Sequence, residues 1–365
     1  MEFGPQELPA LLLLNRTPGI RMRGLVPFFE RGFSPSEIVD WIGEGENPNW
    51  KESLEKTLSV FNSEKEIESC EKRGIQIISF WDSNYPFLLK EISDPPLVLY
   101  CKGELLEADR AAVAMVGSRH PSFYGIEQAK RFSSKLSRWG LTIVSGFARG
   151  VDCASHEAAL GVSFGRTLAV LGSGLDVIYP KEHKSLFEKI QEQGAVISEF
   201  SLGTAPLAEN FPKRNRIISG LSLGTLVVEA HSRSGSLITA HQAVEEGREV
   251  FALPGRVDQL QSRGTHRLIQ EGALLVESPE EILDTIAHYL WPLVGIPSED
   301  NALEEEEKSI LNLIKGDPLT PNQVANDAKC PIAQITSLLT ILELKRKLRK
   351  RADGRYERVS KECLD

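Results

Sequence analysis

Between Ala111 and about Tyr289, short apolar runs alternate with longer amphipathic stretches, and this alternation constrains the fold more than any other feature of the chain. The runs fall at Val113–Val116, Thr142–Val144, Thr167–Leu171, Ala195–Ile197, Thr225–Val228, Glu249–Ala252 and Leu274–Val276. Strands covered by helices on both faces read as continuous apolar runs, so the pattern predicts an α/β fold with a mostly parallel sheet. In such sheets ligands sit outside the carboxyl ends of the strands, and functional residues are therefore expected just after each run.

The flanks read differently. With 365 residues the chain is longer than one core usually supports, and further domains are expected. Residues 1–75 show helical spacing in Leu8, Leu11 and Leu12, then Phe28 and Phe29, then Ile38, Val39 and Trp41, which predicts a small N-terminal helical module. Its segment Pro18–Leu25 resembles the hairpin of a helix-hairpin-helix (or SAM-like) element. Arg21 stands where that hairpin repeats glycine, so the module is read as a structural or protein-contact element rather than a DNA binder. Gln76–Phe80 and Pro95–Tyr100 predict two strands leading into a main domain at 76–290. A polar linker at 291–302 precedes a C-terminal module at 303–365, with three helices and a hairpin around Asp353-Gly354, a winged-helix plan. Lys345, Arg346, Lys347, Arg349, Lys350 and Arg351 crowd its end, which points to a polyanion or an acidic partner.

Composition narrows the classes. Hydrophobic content of 41% and charged content of 25% argue against wholesale disorder or a fibrous repeat. A net charge of -9 excludes a surface coated in positive charge, so any polyanion must be gripped by a local patch. Five dispersed cysteines (70, 101, 153, 330 and 363) without CxxC pairs read as reduced thiols in a cytoplasmic protein. The run Leu11–Leu14 is too short to span a bilayer, so no membrane segment is expected.

A local patch of the required kind exists. Phe211–Ser222 places Lys213, Arg214, Asn215 and Arg216 between Pro212 and an apolar run, where a helix start offers unpaired backbone donors and the positive end of its dipole. The strand ends add Gly117-Ser118-Arg119, Ser145-Gly146 through Asp152, Gly172-Ser173-Gly174, Glu199-Phe200 and Glu229 through Gly235. Gly117, Ser118, Ser145, Gly146 and Gly172 let a ligand approach the backbone, and Arg119 supplies charge. Phe147 and Phe211 are candidate stacking rings, with packing roles equally open. A dinucleotide fingerprint fails, since Val177 occupies the third glycine position after Gly172 and Gly174; neither a Walker loop nor metal spacing among the histidines is present, and no cofactor is expected.

These motifs carry a resemblance. Val116–Arg119, Ser145 through Asp152, Ala169 through Pro180, Phe211 through Ser222 and Glu229 through Thr239 resemble the DprA/Smf (DNA processing protein A) family over about residues 76–290. The resemblance implies an extended Rossmann-like domain that binds single-stranded DNA during bacterial natural transformation, protects it and helps load the RecA recombinase. It further implies that Arg119, Lys181, Lys213, Arg214, Asn215 and Arg216 face the strand, and that the domain forms a homodimer, for which Gly264–Leu275 is the candidate surface. His183 departs from the family's usual asparagine in the loop Tyr179–His183. The alternative reading is an enzyme cleaving nucleoside monophosphates, because Gly224-Thr225-Leu226-Val227-Val228-Glu229 is similar to half of a phosphoribohydrolase motif whose preceding double glycine is missing here.

Overall fold

The computed structural model describes residues 3–290, 305–314, 318–344, 347–351 and 353–358. The expected linker at 291–302, together with Lys345, Arg346 and Cys363, lies outside the described residues. The chain divides into two compact units, Met1–Glu277 and Ser278–Asp365.

Nine strands build the first unit: β1 (Gln76–Ser79), β2 (Val98–Gly103), β3 (Ala112–Val116), β4 (Thr142–Ser145), β5 (Thr167–Val170), β6 (Ala195–Ser198), β7 (Gly224–Val227), β8 (Glu249–Ala252) and β9 (Leu274–Leu275). They form one sheet in the order β1-β2-β6-β5-β4-β3-β7-β8-β9. From β6 to β9 every neighbouring pair is parallel, whereas β1 with β2 and β2 with β6 are antiparallel. The central parallel strands thus lie within one or two residues of the apolar runs. The chain steps from β3 outward through β4, β5 and β6, then returns to the other side of β3 to lay down β7, β8 and β9. That reversal leaves a crevice outside the carboxyl ends of β3 and β7, the place where such folds bind ligands.

Residues of β2, β5 and β6 alternate between two cores. Leu168 and Val170 join Ile217, Ile218, Ala240 and Leu268 on one face, while Ala169 and Leu171 join Phe147, Phe187 and Ile190 on the other. The helical module belongs to the second core. Its helices run Leu8–Arg16, Met22–Glu30, Pro35–Glu44, Pro48–Val60 and Ser63–Lys72, with polar side-chain caps at Ser34, Asn47 and Asn62. Leu11, Leu12, Leu13 and Leu14 are all buried, sharing a cluster with Leu97, Val98 and Tyr100. Trp81, just beyond β1, takes Phe3 and Phe29 edge-on at 4.7 and 4.8 Å. Residues 1–75, set apart in the sequence as a module, therefore fold into the same compact unit as the sheet.

The second unit holds the helices Pro279–Leu290, Glu305–Leu313, Pro321–Ala328 and Ile332–Leu344 and the hairpin of β10 (Leu348–Lys350) and β11 (Tyr356–Arg358). The helix Pro279–Leu290, which the sequence reading attaches to the 76–290 domain, groups with this unit. Its three-helix-plus-hairpin part has its own core of Ile310, Leu311, Val324, Ile335, Leu339, Leu348 and Tyr356. The Ile332–Leu344 helix contains no lysine or arginine; on the hairpin Arg349 and Arg351 both pair with Glu357.

A shared core has a measurable consequence. Leu14 is fully buried in it, and Leu14→Ala should cost about 2–5 kcal/mol. Urea denaturation of the first unit should show that loss in one transition; an early separate melting of the helical residues would contradict it.

Candidate nucleic-acid interface

The helix after β6 runs Asn210–Gly220, starting two residues before Pro212, so the proline sits in its first turn. Ile217, Ile218 and Leu221 bury against the sheet and fix the helix's phase. Residues three or four apart share a face. Phe211, Arg214, Asn215 and Ile218 accordingly line the crevice outside β3 and β7, while Lys213 and Arg216 line a different cleft on the opposite side.

Arg214 is 3% exposed. Its Nη1 donates to the carbonyls of Gly146, after β4, and Val170, ending β5, and its Nε donates to Asn215 Oδ1 at 3.2 Å. Asp152 lies buried beside it and accepts from the Ala148 amide at 3.1 Å. Burial pulls the Arg214 guanidinium down to about 10 and pushes the Asp152 carboxyl up, and in each case the opposite charge of the other restrains the shift. A side chain at 146 cannot fit: an added Cβ would lie 2.7 Å from Asp152 Oδ2 and 2.8 Å from Arg214 Nη2. Gly146 is therefore glycine for this packing. Arg216, also largely buried, is held by both oxygens of Glu199 at 2.9 and 2.7 Å and by the Asp94 carbonyl at 2.8 Å. Burial alone would lower its pKa, but Glu199 and Asp94 outweigh that and raise it.

The crevice itself measures about 540 Å³. Arg119 is exposed on its rim, its guanidinium 5.0 Å over the half-buried ring of Phe211. Arg214 lies 5.7 Å from the same ring from within, and Tyr179 is 6.2 Å away. Gly172 permits this placement, since a Cβ there would meet Phe211 at 3.1 Å. Across the crevice the loop after β7 contributes His231 and Arg233, both exposed. Lys181 is exposed at the start of the short helical turn Lys181–His183, next to Tyr179 and Pro180, which line an adjoining recess with Arg119 and Phe211.

The expected residues thus separate by environment. Arg119 and Lys181 reach solvent, Lys213 is half-buried with Glu209 at 3.9 Å, and Gly117 and Ser118 line the crevice. Ser145 is fully buried and donates to the Met115 carbonyl at 2.6 Å, so its hydroxyl serves the sheet. Asn215 is buried and donates to the Gly235 carbonyl at 3.3 Å. Phe147 is core rather than a stacking ring: it is 1% exposed and packs edge-on to His183 and Phe187. Arg233 falls within the strand end Glu229–Gly235, which the sequence marks without singling out this residue; its place just after a strand is the signal. Glu229, the acid of the hydrolase-like motif, is 2% exposed and accepts from the Ser122 amide at 2.8 Å and hydroxyl at 2.5 Å, which anchors the helix Phe123–Arg138.

Comparison with known proteins places this geometry. Residues 76–287 match the family described as DNA recombination-mediator protein A, and residues 297–354 match the DprA winged helix domain. The chain belongs to the DNA recombination-mediator protein A family. Protein Smf of Escherichia coli is 44% identical over 286 residues, 76% of either chain. DNA processing protein DprA of Streptococcus pneumoniae is 48% identical over 205 residues, 56% of this chain and 72% of that one. The crystal structure of DprA from S. pneumoniae superposes with a TM-score of 0.66 at 38% identity, covering 78% of this chain and 98% of that one. A structure described as showing the single-stranded DNA binding mode of DNA processing protein A from Helicobacter pylori superposes with a TM-score of 0.53 at 29% identity, covering 59% of this chain and 96% of that one. The family assignment, the mostly parallel α/β fold and the winged-helix domain expected from the sequence agree with these matches.

The buried pair yields a prediction. Arg214→Met strands the Asp152 carboxylate and should destabilise the first unit by about 3–5 kcal/mol. Arg214→Met with Asp152→Asn should recover at least about 1 kcal/mol of that loss by removing the uncompensated charge. Equal stability of single and double variants in urea denaturation would refute the coupling.

Proposed function

We propose that this protein binds single-stranded DNA in the crevice outside β3 and β7, protects it, and passes it to RecA recombinase as part of DNA processing in natural transformation. The observation that carries this reading is the Arg119 guanidinium lying over the Phe211 ring on an exposed rim, with Arg233 opposite. Unpaired bases need a π-face and phosphates need cations, and this rim offers both. A duplex conceals its base faces, so single strands are the better ligand. Membership of the DNA recombination-mediator protein A family and the single-strand binding described for the H. pylori relative support the same choice.

Within this reading the cations divide their work. Arg119, Lys181, Lys213 and Arg233 meet phosphates, whereas Arg214 and Arg216 hold the loops and the helix that present them. No catalytic step is assigned, since the Glu229 carboxylate is engaged by Ser122. The protein pairs through β9, whose Leu274 and Leu275 are 43% and 47% exposed on a sheet edge; Leu268, within the same Gly264–Leu275 segment, is buried in its own core. RecA handover and a cytoplasmic setting follow from the family resemblance.

Polarisation titrations test the site. The full chain should bind labelled single strands more tightly than the same sequence as duplex. Arg119→Ala and Phe211→Ala should each weaken binding by about 1–3 kcal/mol, and Arg119→Ala alone should lower the salt slope by about one. Folded variants that bind like the wild type would place the site elsewhere. Incubation with AMP, GMP or CMP should release no base; turnover abolished by Glu229→Ala would instead establish a hydrolase. Light scattering should show a dimer that Leu275→Arg converts to a folded monomer.

A further inference from the structure

The face of the Asn210–Gly220 helix turned away from the crevice borders a second cleft, of about 700 Å³. Its other walls are the turn Asn15–Met22, the outer face of the Pro48–Val60 helix, Pro95 and Pro96, and the loop after β6. The hairpin-like segment Pro18–Arg21 thus opens onto the helix that carries the Phe211 and Arg214 motif. Lys213 lines this cleft, two residues along the helix from Phe211 of the crevice.

The charges of this cleft are not all spent. Arg216 is saturated by Glu199 and Asp94, and Arg21 pairs with Asp94 at 2.7 Å. Arg16 makes its hydrogen bond to a neutral group, Ser201 Oγ, and its guanidinium lies 5.0 Å over Phe61. Lys56 pairs with Glu52 across a contact in which both side chains are at least 69% exposed. Pairs of that kind hold weakly in water, so a phosphate can take the lysine. Lys213 is 3.9 Å from Glu209, at the limit of an ion pair. Of the lining carboxylates only Glu209 is left beside Arg16, Lys56 and Lys213, while Glu52 and Glu66 neighbour Lys56 and Arg16 from outside the lining. Beside them Phe200 and Val60 offer apolar surface for bases.

We propose that the single strand continues past Phe211, over Lys213, into this second cleft, where Arg16 and Lys56 of the N-terminal helices hold its phosphates. The inference rests on the single-strand reading of the first crevice and adds to it: the helical module becomes part of the DNA track and sets the length of strand engaged. Phosphate contacts by cations are independent of sequence, and each one adds to the salt dependence.

The test uses the full-length protein and two labelled oligothymidylates, one of six nucleotides and one of twenty. The six-mer is long enough for the first crevice alone. Arg16→Ala with Lys56→Ala should weaken the twenty-mer by about ten-fold and lower its salt slope by between roughly one and two, while six-mer binding stays within about two-fold. Lys56→Glu, at an exposed position where folding is not at stake, should show the same length-selective loss. Unchanged twenty-mer binding in both variants overturns the proposal. Equal loss for both lengths also overturns it, since the helices would then act through the first crevice. Failure of the wild type to bind either oligonucleotide would instead overturn the single-strand reading itself.

Discussion

One buried guanidinium holds the working end of the sheet together. Arg214 reaches from the Asn210–Gly220 helix to the carbonyls after β4 and at the end of β5, with Asp152 supplying the compensating charge. Carbonyls at strand ends have no ladder partner, and left dry and unpaired each would cost free energy. The two N–H groups of a single Arg214 nitrogen, Nη1, satisfy two of them at once, while Nε reaches Asn215 Oδ1. The helix is thereby fixed in phase, and Phe211 is turned outward beneath Arg119. Phe211, and Arg119 above it, thus owe their placement to a cation that is itself only 3% exposed.

Much of this fold is legible in the sequence because its signals are local. Runs such as Val113–Val116, in which every residue is buried, can be read directly as strands covered on both sides. The capping box at Thr320 with Gln323 and the turn at Asp353-Gly354 similarly mark the winged-helix plan. What the sequence hides depends on distant partners. Arg216 looks like its neighbours Lys213 and Arg214 until Glu199 and Asp94 come into view, the latter 122 residues away. The run Leu11–Leu14 gives a helix, yet nothing in it says that the helix packs against the sheet's own core.

The same limit applies to chemistry. Glu229 and the bases of hydrolases can share a short motif because a strand end serves equally well as a place for a reacting carboxylate and as a cap for the next helix. Here Ser122 takes both oxygens, and an added Cβ on Gly125 would lie 2.4 Å from one of them. A carboxylate so enclosed is part of the scaffold. Phe147 repeats the lesson with an aromatic ring: its backbone turns left-handed with φ of 60° and carries the side chain inward. Sequence position at a strand end does not reveal that direction.

The two ends of the sheet are unlike. At β1 the outward amide of Ser79 is already taken by Asp82 Oδ2 at 2.8 Å, so this border is chemically blunted. At β9, the other end of the strand order, Leu274 and Leu275 are 43% and 47% exposed. A strand amide already capped by a neighbouring carboxylate is a poorer template for an added strand, whereas exposed leucines offer apolar area to whatever covers them. The sheet is therefore chemically directional, partly sealed by its own carboxylate at one margin and apolar at the other.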